Sequence, residues 1–95
     1  MPLATKPFDA ARYLDGPEDY AELLDDALAT GHRGYIAAAL GTIARAYGVD
    51  RLAADTGLNR ATLYAAFRDD GNPTLDTVLR VLAQVKVGLG AKRAA

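Results

Sequence analysis

Apolar residues along this 95-residue chain recur at three- and four-residue steps between short polar breaks, a pattern that predicts helices throughout. Asp9 is placed to cap a short turn running to Leu14. Gly16-Pro17 marks a fresh start, with Pro17 at the first helical position and Glu18 and Asp19 near the positive end of the helix dipole. Tyr20, Leu23, Leu24, Ala27 and Leu28 form the apolar stripe of this helix, and Thr30-Gly31 ends it, Gly31 being suited to a left-handed cap. The most regular run follows: Tyr35, Ile36, Ala39, Leu40, Ile43, Ala44 and Tyr47 are spaced to face inward, and Gly48 stops it. Asp50 is expected to cap a short helix carrying Leu52 and Ala53, and Asn59 to cap another whose apolar face is Leu63, Tyr64 and Phe67. After the turn-forming DDGNP of 69–73, Thr74 caps a last helix with Leu75, Val78, Leu79, Leu82 and Val85 inward. The terminal VKVGLGAKRAA alternates, which allows a short C-terminal strand.

The expected fold is therefore all-α, a compact five-helix bundle in a single domain over 1–95. An acidic N-terminal arm and helix would occupy 1–30, a helical core 33–87 and a flexible tail 88–95. With 51% hydrophobic and 24% charged residues the composition is that of a globular protein. No cysteine is present, which excludes a disulfide frame and a thiolate metal site. The N-terminus lacks a signal-peptide apolar region and no run is long enough to span a bilayer, so no membrane association and a cytoplasmic location are expected.

Charge changes the picture more than composition does. The net charge is −1, but residues 1–30 carry seven acids against Lys6 and Arg12, and residues 31–95 carry nine Lys or Arg against five acids. An acidic half and a basic half imply two partners or two faces, or one helix face that is merely solvated by acids.

The basic half contains LAADTGLNRATLYAAF, two short amphipathic helices joined at Gly57, the layout of a helix-turn-helix. Ala53 is small enough for a steep crossing, Gly57 tolerates positive φ, and Leu52, Leu58, Leu63 and Phe67 lock the pair onto the core. In this geometry the start of the second helix meets base edges in the major groove. The candidate base contacts are Asn59, Arg60, Ala61, Thr62 and Ala65; Asn59 can equally be only a cap. Arg45, Arg51, Arg68, Asn72 and Arg80 are candidate phosphate contacts.

Beyond this motif, FDAARYLDGPEDYAELLDDAL, ALGTIARAYG and LNRATLYAAFRDDGNPTLDTVLRVL together resemble the probable addiction-module antidote proteins, HigA-like antitoxins with a Cro/lambda-repressor-type fold. The resemblance covers about residues 8 to 89. It implies an antitoxin of a type II toxin–antitoxin module that neutralises a basic, RelE/ParE-like toxin and represses its own operon. The chain departs from the family pattern at Gly31-His32, where an acidic residue is usual, and at Lys86, where a helix-ending Gly is common.

Nothing in the sequence points to an enzyme, a cofactor or a metal. His32 is the one histidine and sits where a cap or surface residue is expected. Asp25-Asp26 and Asp69-Asp70 are sequence neighbours that would point about 100° apart on a helix, so they do not converge as acid and base. The expected partners are operator DNA, read in the major groove by a homodimer whose two motifs lie one helical turn apart, and a cognate toxin met by the acidic segment. The alternatives are a stand-alone helix-turn-helix repressor without a toxin, and a protein-interaction module that does not bind DNA.

Overall fold

Gly16 and Pro17 open the first long helix as their chemistry dictates. In the computed structural model, which describes residues 10–94, α1 spans Pro17–Ala29 with Gly16 as its cap. A 3-10 turn at Ala10–Tyr13 precedes it; Asp9, expected to cap that turn, lies outside the described residues. Then come α2 (Arg33–Tyr47), α3 (Val49–Thr56), α4 (Arg60–Phe67) and α5 (Leu75–Gln84). The all-helical expectation holds, and there is no strand among the described residues. The C-terminal strand is thus corrected: residues 88–94 are exposed and carry no regular structure.

Several ends follow directly from local chemistry. Thr30 closes α1 and Gly31 turns left-handed at φ 64°, the Thr30 hydroxyl donating to the Ala27 carbonyl at 2.6 Å. His32 caps α2, its Nδ1 accepting from the backbone N–H of Gly34 and Tyr35 at 3.1 and 3.3 Å. Asn59 Oδ1 accepts from Thr62 N–H at 2.7 Å, and Thr74 Oγ1 from Thr77 N–H at 3.1 Å. Asp50 is not a cap. Gly48, at φ 109° and ψ 111°, takes the cap position and lets Val49 begin α3 two residues earlier than expected, which places Asp50 inside the first turn.

One buried cluster draws on every helix: Tyr20 and Leu24 from α1, Leu40 and Ile43 from α2, Leu52 from α3, Leu63 and Phe67 from α4, Val81 and Leu82 from α5. Burial pushes the Tyr20 hydroxyl pKa above its ordinary value. Helix α2 is the shared floor, packing against α1, α3 and α4, while α3 also packs on α5. At Gly41 the approach of α2 to α4 is so close that a Cβ there would sit 2.5 Å from the Phe67 carbonyl oxygen.

Five apolar residues expected inside are exposed. Leu28, Tyr35, Tyr64, Leu75 and Leu79 all lie at the surface, Tyr35 at 61% and Leu75 at 67% of full exposure. On α5 the buried arc runs through Thr77, Val78, Val81, Leu82 and Val85; Leu75 and Leu79 are rotated about 100° off its centre, beyond what α3 covers. Tyr35 lies at the mouth of α2 and stacks on the capping His32, ring centroids 4.5 Å apart. Tyr47 is half-buried, its hydroxyl taking a hydrogen bond from Gln84 Nε2 at 3.0 Å and donating to Asp55 at 3.2 Å.

Candidate nucleic-acid interface

Helices α3 and α4 have eight residues each and are joined by residues 57–59. Gly57 is left-handed at φ 78°, and its N–H bonds the Ala53 carbonyl at 3.0 Å. A side chain at this position would be strained, so the turn depends on the glycine. Leu52, Leu63 and Phe67 are buried, with Ala53 and Leu58 half-buried against them, as expected for residues that hold the pair to the core.

Burial of Leu63 and Phe67 fixes which way α4 faces. Arg60, Ala61, Thr62 and Ala65 are all exposed, and so is Asn59 at the cap. Asn59 spends its Oδ1 on the Thr62 backbone, which leaves its amide N–H2 as the group facing outward from that bond. The five residues proposed to meet bases are therefore all solvent-accessible, Asn59 to Thr62 at the start of α4 and Ala65 a turn further on, with Arg60 and Thr62 pointing to different sides of the helix.

The arginines are not bare charges. Arg60 Nε donates to Asp50 Oδ1 at 3.0 Å, across the turn from α4 back to α3. Its Nη2 donates to the Tyr64 hydroxyl at 3.2 Å, one turn along, with the guanidinium carbon 5.6 Å from the ring centroid. The Tyr64 bond first, then the Asp50 carboxylate, raise the Arg60 pKa above its ordinary value, so the group is charged at every physiological pH. Arg51 stacks 4.2 Å above the Tyr47 ring and lies 3.9 Å from Asp55. Arg68 pairs with Asp70 and Arg80 with Asp76, each at 3.1 Å. All of these pairs are solvent-exposed and add little to stability.

Among the candidate phosphate contacts the structure brings Arg45 and Arg68 together: both line one apolar cleft between α2 and α4, beside Tyr64. Arg51 sits at the junction of α2, α3 and α5 instead. Asn72 is exposed in the loop before α5, and Arg80 is exposed on α5, which packs on α3 and not extensively on α4. Sequence reasoning missed Asp50 and Tyr64 as partners of Arg60. The spacing of Arg60 and Tyr64, four apart on one helix, was a usable signal; the ten-residue separation of Asp50 and Arg60 was not.

Helix α1, which also packs on α2, carries a different surface. Glu18, Glu22, Asp25 and Asp26 are exposed on α1, and none is ion-paired to a described residue. Among the described residues no helix is long and apolar enough to cross a membrane.

Comparison with known proteins adds the context of these two faces. Residues 4–93 match the family model described as probable addiction module antidote protein. A protein of Haemophilus influenzae, itself described as uncharacterized, is 39% identical over 77 residues, covering 81% of this chain and 79% of the relative. No solved structure matches. With nearly its whole length inside the family model, the chain belongs to the family of probable addiction module antidote proteins, antitoxins that act on a cognate toxin.

Proposed function

We propose that this antidote is a HigA-like, DNA-binding antitoxin that uses α3 and α4 as a helix-turn-helix of the Cro/lambda-repressor type. It represses its own operon in the cytoplasm and neutralises a RelE/ParE-like toxin, acting by binding alone. The observation that carries this reading is the orientation of α4. Leu63 and Phe67 anchor it, which leaves Asn59, Arg60, Ala61 and Thr62 at its start and Ala65 a turn further on exposed, a set that offers donors and small side chains to base edges. Small residues at 61 and 65 permit close approach and suit contact with thymine methyl groups. A strip this short reads few bases, so a homodimer spanning two half-sites fits best. The acidic surface of α1 is left for the basic toxin.

One observation favours a second reading, a protein-interaction module without DNA binding: Arg51, Arg60, Arg68 and Arg80 are each matched by an aspartate. The experiment that separates the two is a mobility shift of the DNA upstream of its gene with the wild type and Arg60→Ala, set against random duplex. The antitoxin reading expects a preference for the upstream DNA that Arg60→Ala weakens roughly tenfold or more, with little change on random DNA. No shift even at low salt, together with a stable toxin complex, supports the interaction module.

A further inference from the structure

We propose that Asp50 is a specificity-determining positioning residue, whose carboxylate holds the Arg60 guanidinium across the helix-turn-helix so that its outer end is presented to a guanine edge. This inference rests on the DNA-reading role of α4. A guanidinium has five N–H donors in a fixed planar fork. Asp50 Oδ1 takes the one on Nε at 3.0 Å, and the Tyr64 hydroxyl takes one on Nη2 at 3.2 Å. Both Nη1 hydrogens and one on Nη2 remain, the donors of the outer end of the fork. Guanine offers two acceptors, O6 and N7, side by side in the major groove, and arginine meets them through two parallel N–H groups.

The two restraints come from different elements, Asp50 from the first turn of α3 and Tyr64 from the next turn of α4. They therefore fix the arginine relative to both helices of the motif. An exposed ion pair of this kind contributes little to folding, so its consequence lies in binding. A side chain ordered before the encounter loses less freedom on contact, which favours the matched base. The carboxylate also brings a negative charge to the face that phosphates approach, which weakens sequence-blind attraction. Asp50 thus acts with opposite sign on two measurable quantities: it strengthens discrimination and weakens non-specific affinity. Were its role purely structural, as an acid near the positive end of the α3 dipole, removing it would lower both together.

The test uses the full chain carrying Asp50→Ala, Arg60→Ala or both, titrated against the upstream DNA and random duplex across a salt series. Asp50→Ala is expected to bind random DNA at least as tightly as the wild type while the upstream-to-random ratio falls about tenfold. The double variant should lose no more of the ratio than Arg60→Ala alone, because Asp50 acts through Arg60. Melting curves accompany each variant, and Asp50→Asn replaces Asp50→Ala if the latter melts early. A wild type that discriminates while the Asp50 variants keep its full ratio overturns the Asp50 role and leaves the DNA reading standing. Losses that multiply in the double variant overturn it as well. A wild type that does not prefer the upstream DNA overturns the DNA reading, and this inference falls with it.

Discussion

Helices α1 and α4 meet the same packing demand in the same way and present opposite surfaces. Each lies on α2 and anchors itself with a few buried residues, Tyr20, Leu24 and Ala27 from α1 and Leu63 and Phe67 from α4, and the two share no extensive contact. On α1 the outward residues include Glu18, Glu22, Asp25 and Asp26, carboxylates without ion pairs among the described residues. On α4 there is no acid at all, and the one cation at its start is balanced by a carboxylate lent by α3. An acidic face left uncompensated projects a field that attracts a basic partner from a distance. A compensated arginine has little reach and acts only at contact, where its fixed geometry discriminates. Under the proposed function, the difference teaches how a chain with net charge −1 can serve two partners: long-range attraction would belong to one helix and short-range reading to another.

The largest expected effect tests whether the two helices share one cooperative unit. Leu24 and Leu63 are both buried, so Leu24→Ala and Leu63→Ala should each lower unfolding free energy by about 2–5 kcal/mol in chemical denaturation. A Leu63→Ala variant that melts in two steps, with α1 intact in the second, would show that α4 is a separable attachment and not part of the core shared with α1.

A smaller effect tests the division of labour itself. Glu22 and Asp26 are exposed one turn apart on α1. Reversing both to lysine should slow association with the cognate toxin about tenfold or more at low salt, and the deficit should shrink as salt is added. Stopped-flow mixing measures this directly, and the mobility shift on upstream DNA should not change. Equal damage to both activities would mean that the two faces are not independent.

How much of this contrast was legible beforehand depends on whether a feature is local. Asn59, Thr74, Gly31, Gly48 and Gly57 announce helix ends because a cap acts on backbone within a few residues, and all five sit at such ends. The buried anchors Leu52, Leu63 and Phe67 follow from period alone. Period does not say how wide an arc the neighbours cover, which is why Leu28, Tyr64, Leu75 and Leu79 read as core and are exposed. The partnership of Asp50 with Arg60 was not legible for a related reason. It depends on how two helices cross after the turn, and no spacing rule encodes that crossing. The cap position assigned to Asp50 instead belongs to Gly48, which supplies no side-chain hydrogen bond to the first turn.

The smallest effect sharpens the comparison at the end of α5. Lys86 is left-handed at φ 68°, the one non-glycine residue with positive φ among those described. Its N–H reaches the Ala83 carbonyl at 3.3 Å and the next N–H, of Val87, reaches Leu82 at 2.9 Å, the two bonds of a Schellman ending normally built on glycine. The conformation is held because Val87 is buried, and the following Gly88, Leu89 and Gly90 line a groove with Leu24 and Leu28 of α1. Lys86 therefore keeps a helix ending of the glycine type, at the cost of about 1–2 kcal/mol for a side chain in the left-handed region. Lys86→Gly removes that strain but gives the unfolded chain about 0.5–1 kcal/mol more freedom, so a net gain of about 0.5–1 kcal/mol is expected. A urea titration should show a higher midpoint with an unchanged slope. Because the segment after Lys86 packs toward α1 and not α4, DNA binding should not respond at all. A Lys86→Gly variant that is more stable yet reads DNA differently would show that the α1 side of the molecule reports to α4, and the independence of the two faces would have to be abandoned.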